Sequence, residues 1–152
     1  MTLEELGNLG EFLGAIGVIV TLIYLTVQLR QNTRAIRAQT VDDVTRSLRD
    51  FLLVLAQSPE LARIEAKAQQ EGLSALEPNE ESQLRGYLSA MFYTYENAYD
   101  QWQLATISEA QWSRYRALLV QVLQRFRYAR EFWDGWKSFY LQTFVDEIEG
   151  ML

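Results

Sequence analysis

The chain has 152 residues, 49% of them hydrophobic, with a net charge of −6 and neither cysteine nor histidine. Without cysteine there is no disulfide framework or thiolate chemistry, and without histidine the commonest general base and the usual zinc sites are excluded. Catalytic arrangements of the Ser-His-Asp and Cys-His kinds are excluded on the same ground. Because the chain is acidic overall and has only one short basic segment, residues 30–49, we do not expect nucleic acid to be a partner.

The first predicted element is a membrane-spanning helix. Residues 12–29 are 18 consecutive uncharged residues, and as a helix they would extend about 27 Å, close to a hydrocarbon core of about 30 Å. The alternatives are a buried helix of a soluble protein and a cleaved signal peptide, although the residues ahead of the run are acidic rather than basic. We therefore predict an N-terminal tail and transmembrane helix over residues 1–29.

The charges on the two flanks of this run predict its orientation. Residues 1–29 contain three acids and no basic residue, whereas Arg30, Arg34 and Arg37 follow the run directly. By the positive-inside rule the N-terminus faces outward and the bulk of the chain faces the cytoplasm. The three arginines share one side of a helix, where they either contact anionic lipid headgroups or act only as a topology signal on a solvated face.

Small residues form a stripe along the predicted span. The members recur at spacings of three and four and comprise Gly7, Gly10, Gly14, Gly17 and Thr21. Glycine destabilises an exposed helix by about 1 kcal/mol relative to alanine, whereas in lipid small residues let two helices approach closely. We predict that these five residues form a homo-oligomer interface; a different partner chain and a chance alignment are the alternatives.

Glu11 borders the predicted span on its outer side. It lies at the headgroup level as a solvated residue, or in a ring of subunits it forms the acidic mouth of a pore. Thr21, Thr26 and Gln28 add polar groups to the span without making a continuous hydrophilic stripe. A small multimeric channel is therefore an alternative function.

The remainder of the chain is predicted to be helical. No proline precedes Pro59, so the helix can continue as a stalk over residues 30–57. Within a cytoplasmic bundle predicted over residues 58–152, helix starts are indicated at Ser58, Glu77 and Ser108, and a break near Gly135. The predicted fold class is all-α: a single N-terminal transmembrane helix, a long stalk helix, then a small cytoplasmic helical bundle.

Aromatic residues concentrate in the predicted bundle, where 16 of the 19 lie between Tyr87 and Phe144. They either line a pocket for a flat or hydrophobic ligand or supply the core of a small bundle, and we favour the core. The helix that follows Glu77 carries an inner face at helical spacing. Its members are Leu84, Tyr87, Leu88, Met91, Tyr95, Tyr99 and Trp102.

Two acids on that helix, Glu96 and Asp100, are four residues apart and share a face. Such a pair can hold a divalent cation or act as an acid/base pair. We prefer a salt bridge to an arginine among Arg85, Arg114 and Arg116, and we predict neither a metal nor a cofactor.

Two segments carry a resemblance to known proteins: IYLTVQLRQNTRAIRAQT (residues 23–40) and YENAYDQWQ (residues 95–103). They resemble a widespread uncharacterised family of short bacterial proteins with one N-terminal membrane helix and a helical cytoplasmic domain. The resemblance extends over most of the chain and implies a bacterial inner-membrane protein. The family has no assigned activity, so the resemblance supplies no catalytic or binding residue.

These observations predict a membrane-anchored homo-oligomeric scaffold or regulatory module without catalytic activity. Its partners would be membrane lipid, further copies of the chain and an unidentified cytoplasmic protein. The channel remains one alternative, and an enzyme that uses its carboxylates remains a second.

Overall fold

A computed structural model describes residues 3–152, except for the side chains of residues 5, 6 and 9. The described chain contains six α-helices and no strand, which confirms the prediction of a long apolar N-terminal helix followed by a helical domain. Two short 3₁₀ turns, Leu73–Ala75 and Lys137–Phe139, join neighbouring helices. The α-helices are α1 (Leu3–Gln57), α2 (Pro59–Glu71), α3 (Pro78–Gln103), α4 (Glu109–Arg125), α5 (Arg127–Trp136) and α6 (Gln142–Glu149).

The chain divides into two compact units, Met1–Gln39 and Thr40–Leu152, and the boundary lies inside α1. Residues of α1 beyond this boundary pack into the second unit, where Val44 is only 2% exposed and Leu48 and Phe51 are partly buried. The segment predicted as a stalk, residues 30–57, is thus shared between the two units. The second unit is called the helical domain below.

The predicted helix starts are present, and at Ser58 and Ser108 the serine side chain satisfies a free backbone amide. The Ser58 hydroxyl accepts a hydrogen bond from the Leu61 amide at 3.2 Å, and the Ser108 hydroxyl accepts one from the Gln111 amide at 3.3 Å. Such caps typically stabilise a helix by about 1 kcal/mol. The predicted break near Gly135 is also present, because α5 ends at Trp136.

Aromatic rings form the centre of the helical domain, as the sequence predicts. Phe92 is fully buried, and its ring centroid lies 5.2 Å from that of Trp133 and 5.6 Å from that of Phe132. A second cluster surrounds Trp112, whose ring lies 5.5 Å from the ring of Tyr99. Contacts at these distances add to the stabilisation from buried area alone, so this ring cluster holds α3, α4 and α5 together.

The preferred salt bridge for Glu96 and Asp100 is wrong. The Glu96 carboxylate instead accepts a hydrogen bond from the Leu141 amide at 2.6 Å, at the N-terminus of α6. That amide is left free at the start of a helix, and a carboxylate placed there also interacts favourably with the helix dipole. Neither acid forms an ion pair with another described side chain. Arg85 lies near Glu81, and Arg116 pairs with Glu147. Arg114 forms no ion pair with a described acid.

Candidate functional site

A cleft of about 620 Å³ opens in the helical domain between the C-terminal part of α1 and helices α3 and α4. Its volume is in the range of about 300–1,000 Å³ that is usual for small-molecule sites. One wall comes from α1, whose lining residues recur every three or four positions and therefore share one helix face. They include Val41, Thr45, Leu48, Leu52 and Leu55.

The opposite wall comes from α3 and α4. On α3, Tyr87, Met91 and Tyr95 are spaced four apart and all face the cleft. On α4, Leu118 and Val122 have the same spacing. The walls are therefore mainly aliphatic and aromatic, which is typical of sites that take an apolar ligand.

Hydroxyl groups bridge the two walls. The Thr45 and Tyr115 hydroxyls share a hydrogen bond at 2.9 Å, which joins α1 to α4. The Tyr87 hydroxyl donates to the Phe51 carbonyl at 3.4 Å, which joins α3 to α1. These contacts hold α1 against the domain while leaving the space between them open.

Among the described residues that line the cleft, the one carboxylate is that of Glu65 on α2. Burial raises the pKa of Glu65, and the hydrogen bond donated by the Tyr128 hydroxyl at 2.8 Å opposes that rise. Burial and the neighbouring Glu65 raise the pKa of Tyr87 to about 12, and burial also raises the pKa of Tyr95 to about 12. The Tyr87 and Tyr95 hydroxyls are thus uncharged at neutral pH.

Three arginines line the cleft and are exposed to solvent: Arg49, Arg114 and Arg125. Arg49 lies 3.5 Å from Asp50, whereas neither Arg114 nor Arg125 forms an ion pair with a described acid. In a chain of net charge −6, the charged groups of the cleft are three cations and one partly buried carboxylate. The exposed edge of the cleft is therefore suited to an anion.

The predicted glycine stripe lies in the unit Met1–Gln39, where every residue with a described side chain is exposed. A Cβ atom built on any of the four glycines (Gly7, Gly10, Gly14 and Gly17) would meet nothing within 4 Å. The Thr21 hydroxyl donates to the Gly17 carbonyl at 2.8 Å, so its polar group is satisfied within α1. No described part of the chain itself uses this face for close packing.

The other predicted site residues lie in the same unit. Arg30, Arg34, Arg37 and Glu11 are all exposed, and none of them forms an ion pair with a described side chain. That the three arginines contact lipid headgroups, and that Glu11 forms a pore mouth, remain predictions.

One described helix, α1, is long and apolar enough to cross a membrane, and none of its apolar window is buried within the chain. Several polar side chains of this helix form hydrogen bonds within the helix itself. Thr26 and Thr33 donate to carbonyls four residues earlier, at 2.8 and 2.9 Å, and Gln28 donates to the Tyr24 hydroxyl at 2.5 Å. Hydrogen bonds of this kind let polar residues sit in a membrane helix without a partner helix.

Comparison of the chain with protein-family models, with curated proteins and with solved structures finds no match. The predicted resemblance to a bacterial membrane-protein family therefore stays a prediction. Sequence reasoning kept a pocket lined by aromatic residues only as the less favoured alternative, and it did not predict that α1 forms one wall of this cleft. Its lining residues carry the same helical periodicity as core residues, and periodicity alone does not separate a wall that is covered from one that is open.

Proposed function

We propose that this protein is a single-pass membrane anchor that self-associates through α1 and carries a helical domain as a scaffold or regulatory module. The observation that supports it is the exposed apolar segment of α1. Ile16, Ile19 and Ile23, for example, are 42%, 56% and 60% exposed. Soluble proteins rarely expose a continuous apolar surface of this kind, so lipid or another chain would cover it.

The glycine face supports self-association rather than lipid contact alone. Each glycine destabilises a helix by about 1 kcal/mol relative to alanine, and nothing in the described chain lies within 4 Å of the positions their Cβ atoms would take. In lipid, the gain that offsets this loss is close backbone approach between helices. Since α1 is the only described helix suited to a membrane, a second copy of α1 is the simplest partner.

The flanking charges support a cytoplasmic position for the helical domain. Arg30, Arg34 and Arg37 follow the apolar segment and are exposed, as the positive-inside rule requires of a cytoplasmic flank. At that position they would contact anionic headgroups. With the resemblance described above, these charges support the proposal of a bacterial inner-membrane protein with its N-terminus outside, whose helical domain would meet a cytoplasmic protein partner.

The test is the oligomeric mass of the full chain in detergent, measured for the wild type, Gly14→Leu and Ala15→Leu. Gly14 lies on the glycine face, and Ala15 is rotated about 100° from it around the helix, so the control adds the same leucine away from the interface. We expect an oligomer for the wild type and Ala15→Leu, and a monomer for Gly14→Leu. An unchanged mass in Gly14→Leu would refute the proposed interface.

Ion flux separates this proposal from the channel alternative. A conducting assembly predicts flux in liposomes that contain the protein, and a loss of flux in Glu11→Gln. A scaffold predicts no flux above that of empty liposomes for either protein. Flux that depends on Glu11 would overturn the scaffold in favour of a pore.

A further inference from the structure

We propose that the cleft between α1, α3 and α4 binds a single-chain amphiphile with an anionic head group, namely an unesterified long-chain fatty acid. The alkyl chain would lie along the apolar walls, and the carboxylate would lie at the exposed edge that carries the arginines. The inference stands on the helical domain alone and does not depend on whether α1 self-associates.

The shape and chemistry of the walls fit one alkyl chain. Leu48, Leu52, Met91, Leu118 and Val122 face the cleft from three helices. The volume of about 620 Å³ lies in the range of about 300–1,000 Å³ that is usual for small-molecule sites, and one alkyl chain with its carboxylate is a ligand of that class.

The charges at the cleft select an anion over a cation. Arg114 and Arg125 lie 11 residues apart on α4, so they share a helix face. Both line the cleft, and neither forms an ion pair with a described acid. A guanidinium group binds a carboxylate with two parallel hydrogen bonds, so either arginine can hold the head group.

The buried carboxylate indicates which way the ligand would lie. Glu65 is partly buried inside the cleft and accepts the hydrogen bond from Tyr128. A second carboxylate placed beside it would be repelled in a poorly hydrated space. The head group is therefore expected at the exposed arginines and the alkyl chain toward the interior.

The experiment uses the full chain in lipid nanodiscs and a palmitate probe with a photoactivatable diazirine on its alkyl chain. After irradiation, labelled peptides are identified by mass spectrometry, with and without excess unlabelled palmitate. We expect the probe to label peptides from α3 and α4 that carry Met91 or Leu118, and we expect excess unlabelled palmitate to suppress that labelling, which is called competed labelling below. Labelling confined to the apolar part of α1, or labelling that palmitate does not compete, would overturn the inference.

Matched variants test the cleft and its charges separately. Leu118→Trp places a large ring in the cleft and should reduce competed labelling at least about tenfold. Leu53→Trp should have no effect, because Leu53 is similarly exposed, at 43% against 46%, but does not line the cleft. Equal labelling in these two variants would contradict the inference.

The head group is tested by Arg114→Gln combined with Arg125→Gln. This double variant should lower labelling by the palmitate probe at least about threefold and leave labelling by the corresponding alcohol probe unchanged. Equal losses for both probes would refute the anion preference. If Leu118→Trp instead lowers the oligomeric mass while palmitate labelling is absent, a second chain covers the cleft and the inference is wrong.

Discussion

Replacing Phe92 tests whether the aromatic cluster carries the stability of the helical domain. Phe92 is fully buried, and its ring centroid lies within 5.2–5.9 Å of those of Phe132, Trp133 and Tyr140. Removing a buried phenylalanine ring usually destabilises a protein by about 3–5 kcal/mol. Because three rings lose a partner, each worth about 0.5–1.5 kcal/mol beyond buried area, we expect Phe92→Ala to lie in the upper part of that range.

The assay is urea unfolding of the full chain, followed by tryptophan fluorescence. All four tryptophans lie in the helical domain, so the signal reports this unit and not the apolar part of α1. The matched control is Phe139→Ala, the same change at a residue that is 68% exposed, for which we expect a loss below about 1 kcal/mol. A loss below about 2 kcal/mol for Phe92→Ala, or equal losses for the two variants, would refute the argument.

Three further predictions concern contacts outside the aromatic cluster. Glu96→Ala frees the Leu141 amide and should lower the free energy of unfolding by about 1 kcal/mol in the same assay; no change would show that this cap is unimportant. Gly72→Ala should lower it by about 1–3 kcal/mol, because φ is +96° and ψ is 166° at Gly72, and an unaffected midpoint would contradict that. Lys67 and neighbouring groups lower the pKa of Glu80 to about 2, so its stabilising effect is present above pH 4.5 and lost as the pH falls toward 2. The stability difference between wild type and Glu80→Gln should therefore shrink over that interval, and a constant difference would refute it.

The fold was predictable where the sequence carries local signals. Ser58 and Ser108 were predicted to begin helices because each precedes a helical pattern, and they are the N-terminal caps of α2 and α4. Proline-free sequence up to Pro59 allowed α1 to continue without a break, and the structure has α1 ending at Gln57. Such signals depend on a few neighbouring residues, so one sequence is enough to interpret them.

The interior of the helical domain was predicted less completely. Phe92 is fully buried, although it lies outside the predicted inner face of its helix. The reason is that α3 packs against α2, α4 and α5, so its buried surface is wider than a single stripe. The partner of Glu96 was also missed, because the Leu141 amide is 45 residues away in sequence and no local pattern indicates that contact.

The candidate cleft depends on space that the helices leave unfilled. Leu48 and Leu52 follow the same helical pattern whether or not another helix covers them. The sequence could therefore predict which residues face the domain but not that a volume of about 620 Å³ remains between them. Of the arginines at its edge, Arg114 was named from the sequence only as a potential partner for an acid, because its position beside the cleft depends on how α4 packs.

The most direct test of self-association is disulfide cross-linking of single cysteines placed one at a time along residues 12–21 of the full chain in membranes. Since the chain contains no cysteine, each introduced thiol can pair only with its copy in another subunit. The proposal predicts fast cross-linking for Gly14→Cys, Gly17→Cys and Thr21→Cys, and slow cross-linking for Ile16→Cys and Ile19→Cys on the lipid-facing side. Uniformly slow cross-linking, or a maximum at the isoleucine positions, would contradict an interface built on the glycine face.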